Sequence, residues 1–181
     1  TRPIRHRRAL GGGFLPDDRL RLALAPNATL TETAVLGRQR DTEFLAKFGL
    51  LKRKAMERFT TECIERFDVR GGSPNTLVRS LSGGNQQKLV LARELSRKPS
   101  LLLAAQPTRG LDFAATAFVH QALRAERDRG AAILLSSLDL GELLALCDRI
   151  AVLLSGKLVG IVNRADATEE KLGQMMTGAT A

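Results

Sequence analysis

Apolar residues along the chain follow two rhythms. Between Asp41 and Phe67 they recur at helical spacing (Phe44, Leu45, Phe48, Leu51, then Phe59, Cys63, Ile64 and Phe67), which predicts two helices of a mostly α-helical segment. Ahead of them, Gly11–Gly13 and Pro16 bracket a short strand-like stretch, Gly13–Leu15. Ala25 to Gly37 reads as a turn and a short helical piece that Thr29 or Thr31 can cap, and Val69 to Ser80 as a loop.

The second half alternates short apolar runs with helical patterns. A helix carries Leu89 to Leu95 and is stopped by Pro99, and Leu101–Ala104 reads as a strand. Phe113 to Arg129 reads as a helix closed by Gly130, Ala131–Ser136 as a buried strand, and Leu140–Cys147 as a helix. Ile150–Leu154 and Leu158–Val162 are strands joined by the turn Ser155-Gly156-Lys157, and a last helix runs from Thr168 to Met176 before Gly178. Apolar strands without alternation, separated by helices, predict an α/β fold with a parallel sheet buried on both faces.

Composition narrows the class. With 181 residues, 44% hydrophobic and 26% charged, a chain of this size buries roughly 70% of its unfolded surface, so wholesale disorder is excluded. No apolar run approaches the ~20 residues of a membrane span, and the basic stretch Thr1 to Arg8 is not followed by an apolar segment, so no cleavable signal peptide is expected. Cys63 and Cys147 stand alone, which argues against a disulfide framework or a cysteine zinc site and fits a reducing compartment. His6 and His120 have no acidic constellation near them and read as surface residues. The formal charge of +9 points toward a polyanionic partner: nucleic acid, nucleotide or acidic lipid. Trp and Tyr are absent and the seven Phe do not interleave with the basic groups, so specific nucleic-acid binding is not expected.

The candidate chemistry sits in Leu81-Ser82-Gly83-Gly84-Asn85-Gln86-Gln87-Lys88, just ahead of a helix. A hydroxyl and two glycines at a helix start favour a bound anion, because free N–H groups and the positive dipole end face it. Read more simply, Ser82 is an N-cap. Downstream lie the strand Leu101–Ala104 and then Ala105-Gln106-Pro107-Thr108-Arg109-Gly110-Leu111-Asp112; upstream lies Phe14-Leu15-Pro16-Asp17-Asp18-Arg19.

Together these segments resemble the signature motif, Walker B strand, D-loop and Q-loop of ATP-binding-cassette (ABC) ATPases. LSGGNQQK and PTRGLD look like the C-terminal cassette of the duplicated ATPases that power bacterial sugar and nucleoside importers. The resemblance implies a RecA-like, P-loop NTPase sheet with an inserted helical subdomain. On it, residues 1–24 form part of the core with the Q-loop-like turn, 25–97 the helical signature subdomain, and 98–181 the core with Walker B, D-loop and switch region.

The departures are as informative. No G-x-x-x-x-G-K-[ST] occurs in the sequence, so the resemblance implies a cassette truncated ahead of its signature and lacking the P-loop strand. That strand lies inside the family's sheet, and its loss predicts unpaired backbone and an isolated chain that is poorly stable or associates. The position of the Mg²⁺-organising Asp is Ala105, and that of the water-activating Glu is Gln106. A methyl cannot support a hard cation, and an amide cannot take a proton. The switch His aligns with Leu138, or with Ser137 after a one-residue slip.

The resemblance therefore implies a chain inactive by itself. It supplies Ser82, Gly83, Gly84, Asn85 and Gln86 to ATP whose Mg²⁺ is held on an N-terminal or other partner cassette. Asp112 either bridges to that partner or merely caps a helix. Asp17 either senses nucleotide, contacts the permease, or is an exposed turn carboxylate, and Arg109 either braces its loop or reaches phosphate. The implied partners are that cassette and membrane permease subunits, at the cytoplasmic side of the bacterial inner membrane. A non-transport ABC protein acting on nucleic acid or ribosomes, and a catalytically dead regulatory cassette, are the alternatives.

Overall fold

The computed structural model describes residues 3–178; Thr1, Arg2 and residues 179–181, at the ends of the first and last expected segments, lie outside the described residues. The chain divides into two compact units, Thr1–Leu134 and Leu135–Ala181.

The first unit opens with α1 (Ile4–Ala9), where the sequence reading placed sheet core. Pro3 sets φ to −57°, and its carbonyl accepts from the His6 and Arg7 N–H groups at 3.0 and 3.2 Å, which starts the helix. Strand β1 (Gly12–Leu15) follows and pairs in parallel with β2 (Leu101–Ala105), Gly13 opposite Leu102 and Leu15 opposite Ala104. Strand β3 (Ala132–Ser136) completes the order β1-β2-β3.

Between β1 and β2 the chain makes a helical excursion. After α2 (Arg19–Leu22), Thr29 caps α3 (Leu30–Ala34) in a reciprocal capping box with Glu32. One long helix then occurs where two were expected, α4 (Arg53–Arg66). Residues 41–52 instead form turns, because Phe48 and Gly49 both adopt positive φ (63° and 78°) and the chain folds back on itself, Ala46 N–H donating to the Leu50 carbonyl at 2.7 Å. Phe48, counted as an apolar position of a helix, is consequently 98% exposed. Phe44 is fully buried, edge-to-face with Phe59 at 5.3 Å, and the Arg38 guanidinium covers both rings.

Helix α5 (Gly83–Leu95) is the centre of the unit. Leu89, Val90, Leu91, Ala92 and Leu95 are all buried, so it is apolar around most of its circumference, as a helix packed on several sides must be. Glu94 is buried with it: Oε1 accepts from Arg93 Nε at 2.9 Å and Arg8 Nη2 at 3.2 Å, and Oε2 accepts from the Phe14 N–H at 3.3 Å. Burial lowers the pKa of Arg93, with Glu94 opposing that shift. Helix α6 (Phe113–Asp128) returns the chain to β3, ending before Gly130 at φ +98°.

The second unit is a hairpin with two helices: α7 (Leu140–Leu146), β4 (Arg149–Leu154), β5 (Lys157–Asn163) and α8 (Glu169–Thr177). The sequence reading joined these strands by a turn at Ser155-Gly156-Lys157 but placed both within the parallel sheet. They pair antiparallel with each other in a separate two-stranded sheet, because only Ser155 and Gly156 separate them and both take positive φ, as a tight hairpin requires. Ile150, Val152, Val162, Ala167 and Leu172 form its core, with Met175 against it. Met176, its neighbour on the same helix, is exposed. Cys63 and Cys147 are free, and burial raises the pKa of both thiols.

Each unit leaves apolar strand surface uncovered. On β3 Leu134 is 65% exposed, and on β4 Leu153 is 68% exposed; strands of this kind invite pairing with other chains. The isolated chain should therefore associate. Light scattering is expected to give a concentration-dependent mass above the 19.7 kDa of the monomer; a strictly monomeric species melting cooperatively above ~60 °C contradicts this. Removing the buried acid is the second check. Glu94→Ala leaves Arg93 and Arg8 uncompensated and should cost about 3–5 kcal/mol in urea unfolding; a cost below about 1 kcal/mol would show that the network is dispensable.

Candidate functional site

The segment expected to meet an anion lies at the start of α5. Ser82 is exposed and has extended backbone (φ −62°, ψ 157°), so it stands outside the helix as its N-cap. Its Oγ accepts from Asn85 Nδ2 at 2.9 Å and, at 3.4 Å, from the Asn85 N–H. The first N–H groups of any α-helix lack intrahelical partners, and here Gly83 and Gly84 occupy those positions without side chains to cover them. A Cβ on Gly84 would sit 3.1 Å from Ala115 Cβ, so the second glycine is what lets the start of α5 approach α6 closely.

Gln86 behaves differently from expectation. It is buried, and its Nε2 donates to the Leu81 carbonyl at 3.2 Å and the Val78 carbonyl at 3.4 Å. Its amide holds the approach to the helix and does not face the open side. Gln87 is buried too and donates to the Pro107 carbonyl at 2.8 Å, which ties α5 to the loop between β2 and α6.

Asp112 N-caps α6, its Oδ1 accepting from the Ala115 N–H at 2.8 Å. Ser82, Gly84, Asn85 and Asp112 border one cavity of about 270 Å³. Its far wall is a charged lattice that sequence reasoning missed. Lys88 Nζ donates to the Asp68 carboxylate at 2.8 Å and carbonyl at 2.9 Å, and lies 4.8 Å from the centre of the Phe118 ring. Arg70 Nε donates to the other Asp68 oxygen at 2.9 Å, and the Arg70 N–H to Asn85 Oδ1 at 2.7 Å. The side-chain bonds from Arg70 and then Lys88 hold the Asp68 pKa down at about 2. Lys88 stood inside the octet that drew attention; Asp68 and Arg70 lay in a loop with no local signal, and only the fold brings them there.

The remaining predicted residues lie elsewhere. Gln106, half-buried at the end of β2, takes φ +48°, and its carbonyl accepts from the Arg109 N–H at 3.1 Å. Ala105 ends β2 and presents only a methyl. Asp17 is exposed in the turn after β1, whereas its neighbour Asp18 caps α2. Leu138 belongs to the second unit and is largely exposed; beside it the Asp139 N–H donates to Ser137 Oγ at 3.0 Å, and Asp139 caps α7. Among the described residues no group of three or more His, Cys, Asp or Glu stands ready to hold a metal.

No family model matches the chain. Individual proteins do. It is 42% identical over 170 residues to the guanosine import ATP-binding protein NupO of Bacillus subtilis, covering 94% of this chain and 33% of that protein. It is 41% identical over 166 residues to the nucleoside import ATP-binding protein NupA of Lactococcus lactis, covering 92% and 33%. The ribose import ATP-binding protein RbsA of Lactococcus lactis matches at 36% over 168 residues, covering 93% and 34%. The chain belongs to the ABC family.

It spans about a third of the length of the curated relatives it matches. Solved cassettes share its fold. A dimeric post-hydrolysis state of the cassette MJ0796, bound to ADP and Pi, aligns with TM-score 0.66 at 22% identity over 84% of this chain and 62% of that one. An inward-facing metal-chelate-type ABC transporter aligns with TM-score 0.72 at 16% identity over 93% and 64%. The fold is thus that of an ABC cassette, with a parallel sheet and a helical insertion.

The Asp68 lattice of this cassette has a pH signature. A carboxylate whose pKa falls from 3.8 to about 2 on folding contributes stability above the unfolded value and loses it as pH drops through about 2. Urea midpoints followed by circular dichroism from pH 5 to pH 2 should fall more steeply for the native sequence than for Asp68→Asn; identical slopes would remove Asp68 from the acid response.

Proposed function

We propose that this chain is the signature-bearing part of an ATP-binding subunit of a sugar or nucleoside importer, and that it caps nucleotide on a partner cassette instead of hydrolysing its own. One observation carries the reading: the exposed Ser82, with Gly84 and Asn85 after it, borders the cavity that Asp112 also borders. A phosphate placed there meets a hydroxyl, uncovered N–H groups and the positive end of a 13-residue helix. Ser82, Gly83, Gly84 and Asn85 fit such an anion, and Gln86 acts from behind by fixing the turn. In this reading Asp112 meets the partner from the cavity rim, and Asp17, exposed next to α2, meets nucleotide or permease.

The chain's own hydrolytic face does not fit the chemistry. Ala105 offers no oxygen ligand to Mg²⁺. Gln106 can hold a water but not deprotonate it, and a lost general base typically costs 10²–10⁴-fold. Leu138 has no imidazole to offer. Mg²⁺ and the catalytic base would then be the partner's, and ATP the shared ligand. The relatives are named as import ATP-binding proteins for guanosine, nucleosides and ribose, which supports an importer for a ribose-like sugar or nucleoside, peripheral at the cytoplasmic face beneath its permease. No helix among the described residues is long and apolar enough to cross a membrane. In this reading residues 25–97 are the signature subdomain between core segments 1–24 and 98–181.

The test is Ser82→Arg in the full-length transporter ATPase. The bulky cation fills the place of the phosphate, and ATP hydrolysis and solute uptake should fall together by about 10²–10³-fold, the usual cost of losing a preorganised donor. Rates equal to those of the native protein overturn the capping role.

A further inference from the structure

We infer that Arg19 is a positioning residue that locks the signature turn to the loop before Asp112; the inference rests on the capping role proposed above. Arg19 is the first residue of α2, and the Asp18 carboxylate that caps this helix accepts from the Arg21 N–H at 3.0 Å. Its backbone is thereby held at the turn that follows β1. From there the side chain reaches two segments distant in sequence. Nη1 donates to the Arg109 carbonyl at 3.2 Å, and Nη2 lies 2.7 Å from the point where a Cβ on Gly83 would stand. The guanidinium lies against the bare face of Gly83 with one edge on the loop that leads to Asp112.

Two details single out this contact. Gly83 does not need its missing side chain for backbone reasons, since it is not among the residues with positive φ; what it provides is room for Arg19. Arg19 Nε is buried without a hydrogen-bond partner, so the guanidinium is anchored through Nη1 to the Arg109 carbonyl while Nη2 packs on Gly83. A planar fork spans two such neighbours; a compact ammonium does not. The cation also stands at the positive end of the α5 dipole, an arrangement unfavourable by itself and relieved when an anion docks at the same helix start. Arg19 thus keeps the hydroxyl of Ser82 and the cap of α6 in register on the two sides of one cavity, without itself bordering it.

The experiment has two arms. In the full-length transporter ATPase, Arg19→Met should lower kcat for ATP about tenfold with KM changed less than twofold, because the partner's phosphate cradle is untouched. Arg19→Lys should recover no more than about threefold. Unchanged kcat in Arg19→Met, or full recovery by Arg19→Lys, overturns the inference, provided Ser82→Arg abolishes turnover in the same preparation. The second arm is a melting cycle that reads the contact whatever the site does. Gly83→Ala should lower Tm in the native background and leave it unchanged or higher in Arg19→Ala, where the methyl has room. An equal loss in both backgrounds overturns the inference.

Discussion

A single buried carboxylate organises the first unit. Glu94 sits inside the sheet-facing part of α5 and joins its own helix to α1 through Arg8 and to β1 through the Phe14 N–H. A charge at such depth survives only if partners replace its water. The arrangement supplies them from three elements, and Arg93 passes the connection on by donating to the Ala23 carbonyl at 2.6 Å. Helix α5 is thereby fixed in position and rotation from its C-terminal end. Its N-terminal end, where the candidate chemistry lies, inherits that placement.

The same helix is held a second time near its start. Gln86 ties it to the turn Val78–Leu81, Gln87 to Pro107, and Lys88 to Asp68. Three consecutive polar side chains therefore point to three different segments, as the 100° step of a helix dictates. A site that presents backbone donors to a ligand gains from such bracing, because its groups need no reorganisation when an anion arrives. The open rim and the rigid support are two sides of one short segment.

The proposed capping role sets two ends of the fold against each other: Ala105 and Gln106 where the Leu101 strand ends, and Ser82, Gly84 and Asn85 at the cavity rim. Ala105 ends a well-formed strand, and Gln106 just after it takes a left-handed backbone at the bend. A methyl and an amide cannot take a proton from water, yet the strand that leads to them is fully formed. That division matches a cassette working as one half of a composite site.

The sequence alone determined the α/β class, the helix through Leu89–Leu95, the parallel β1 and β2, the hairpin turn at Ser155-Gly156, and the helix-capping positions of Ser82 and Asp112. Each of these depends on local signals: apolar runs, caps, glycines and neighbours in the chain. Tertiary structure decided what local signals cannot. The apolar positions Phe44 to Leu51 imitate a helix, but positive φ at Phe48 and Gly49 breaks it and puts Phe48 in solvent. Gln86 reads as a ligand contact until the carbonyls of Val78 and Leu81 claim it. The pairing of β4 with β5 alone, the Asp68–Lys88–Arg70 lattice and the reach of Arg19 to Gly83 and Arg109 all join residues through space. Their spacing along the chain carries no period, so only the folded packing defines them.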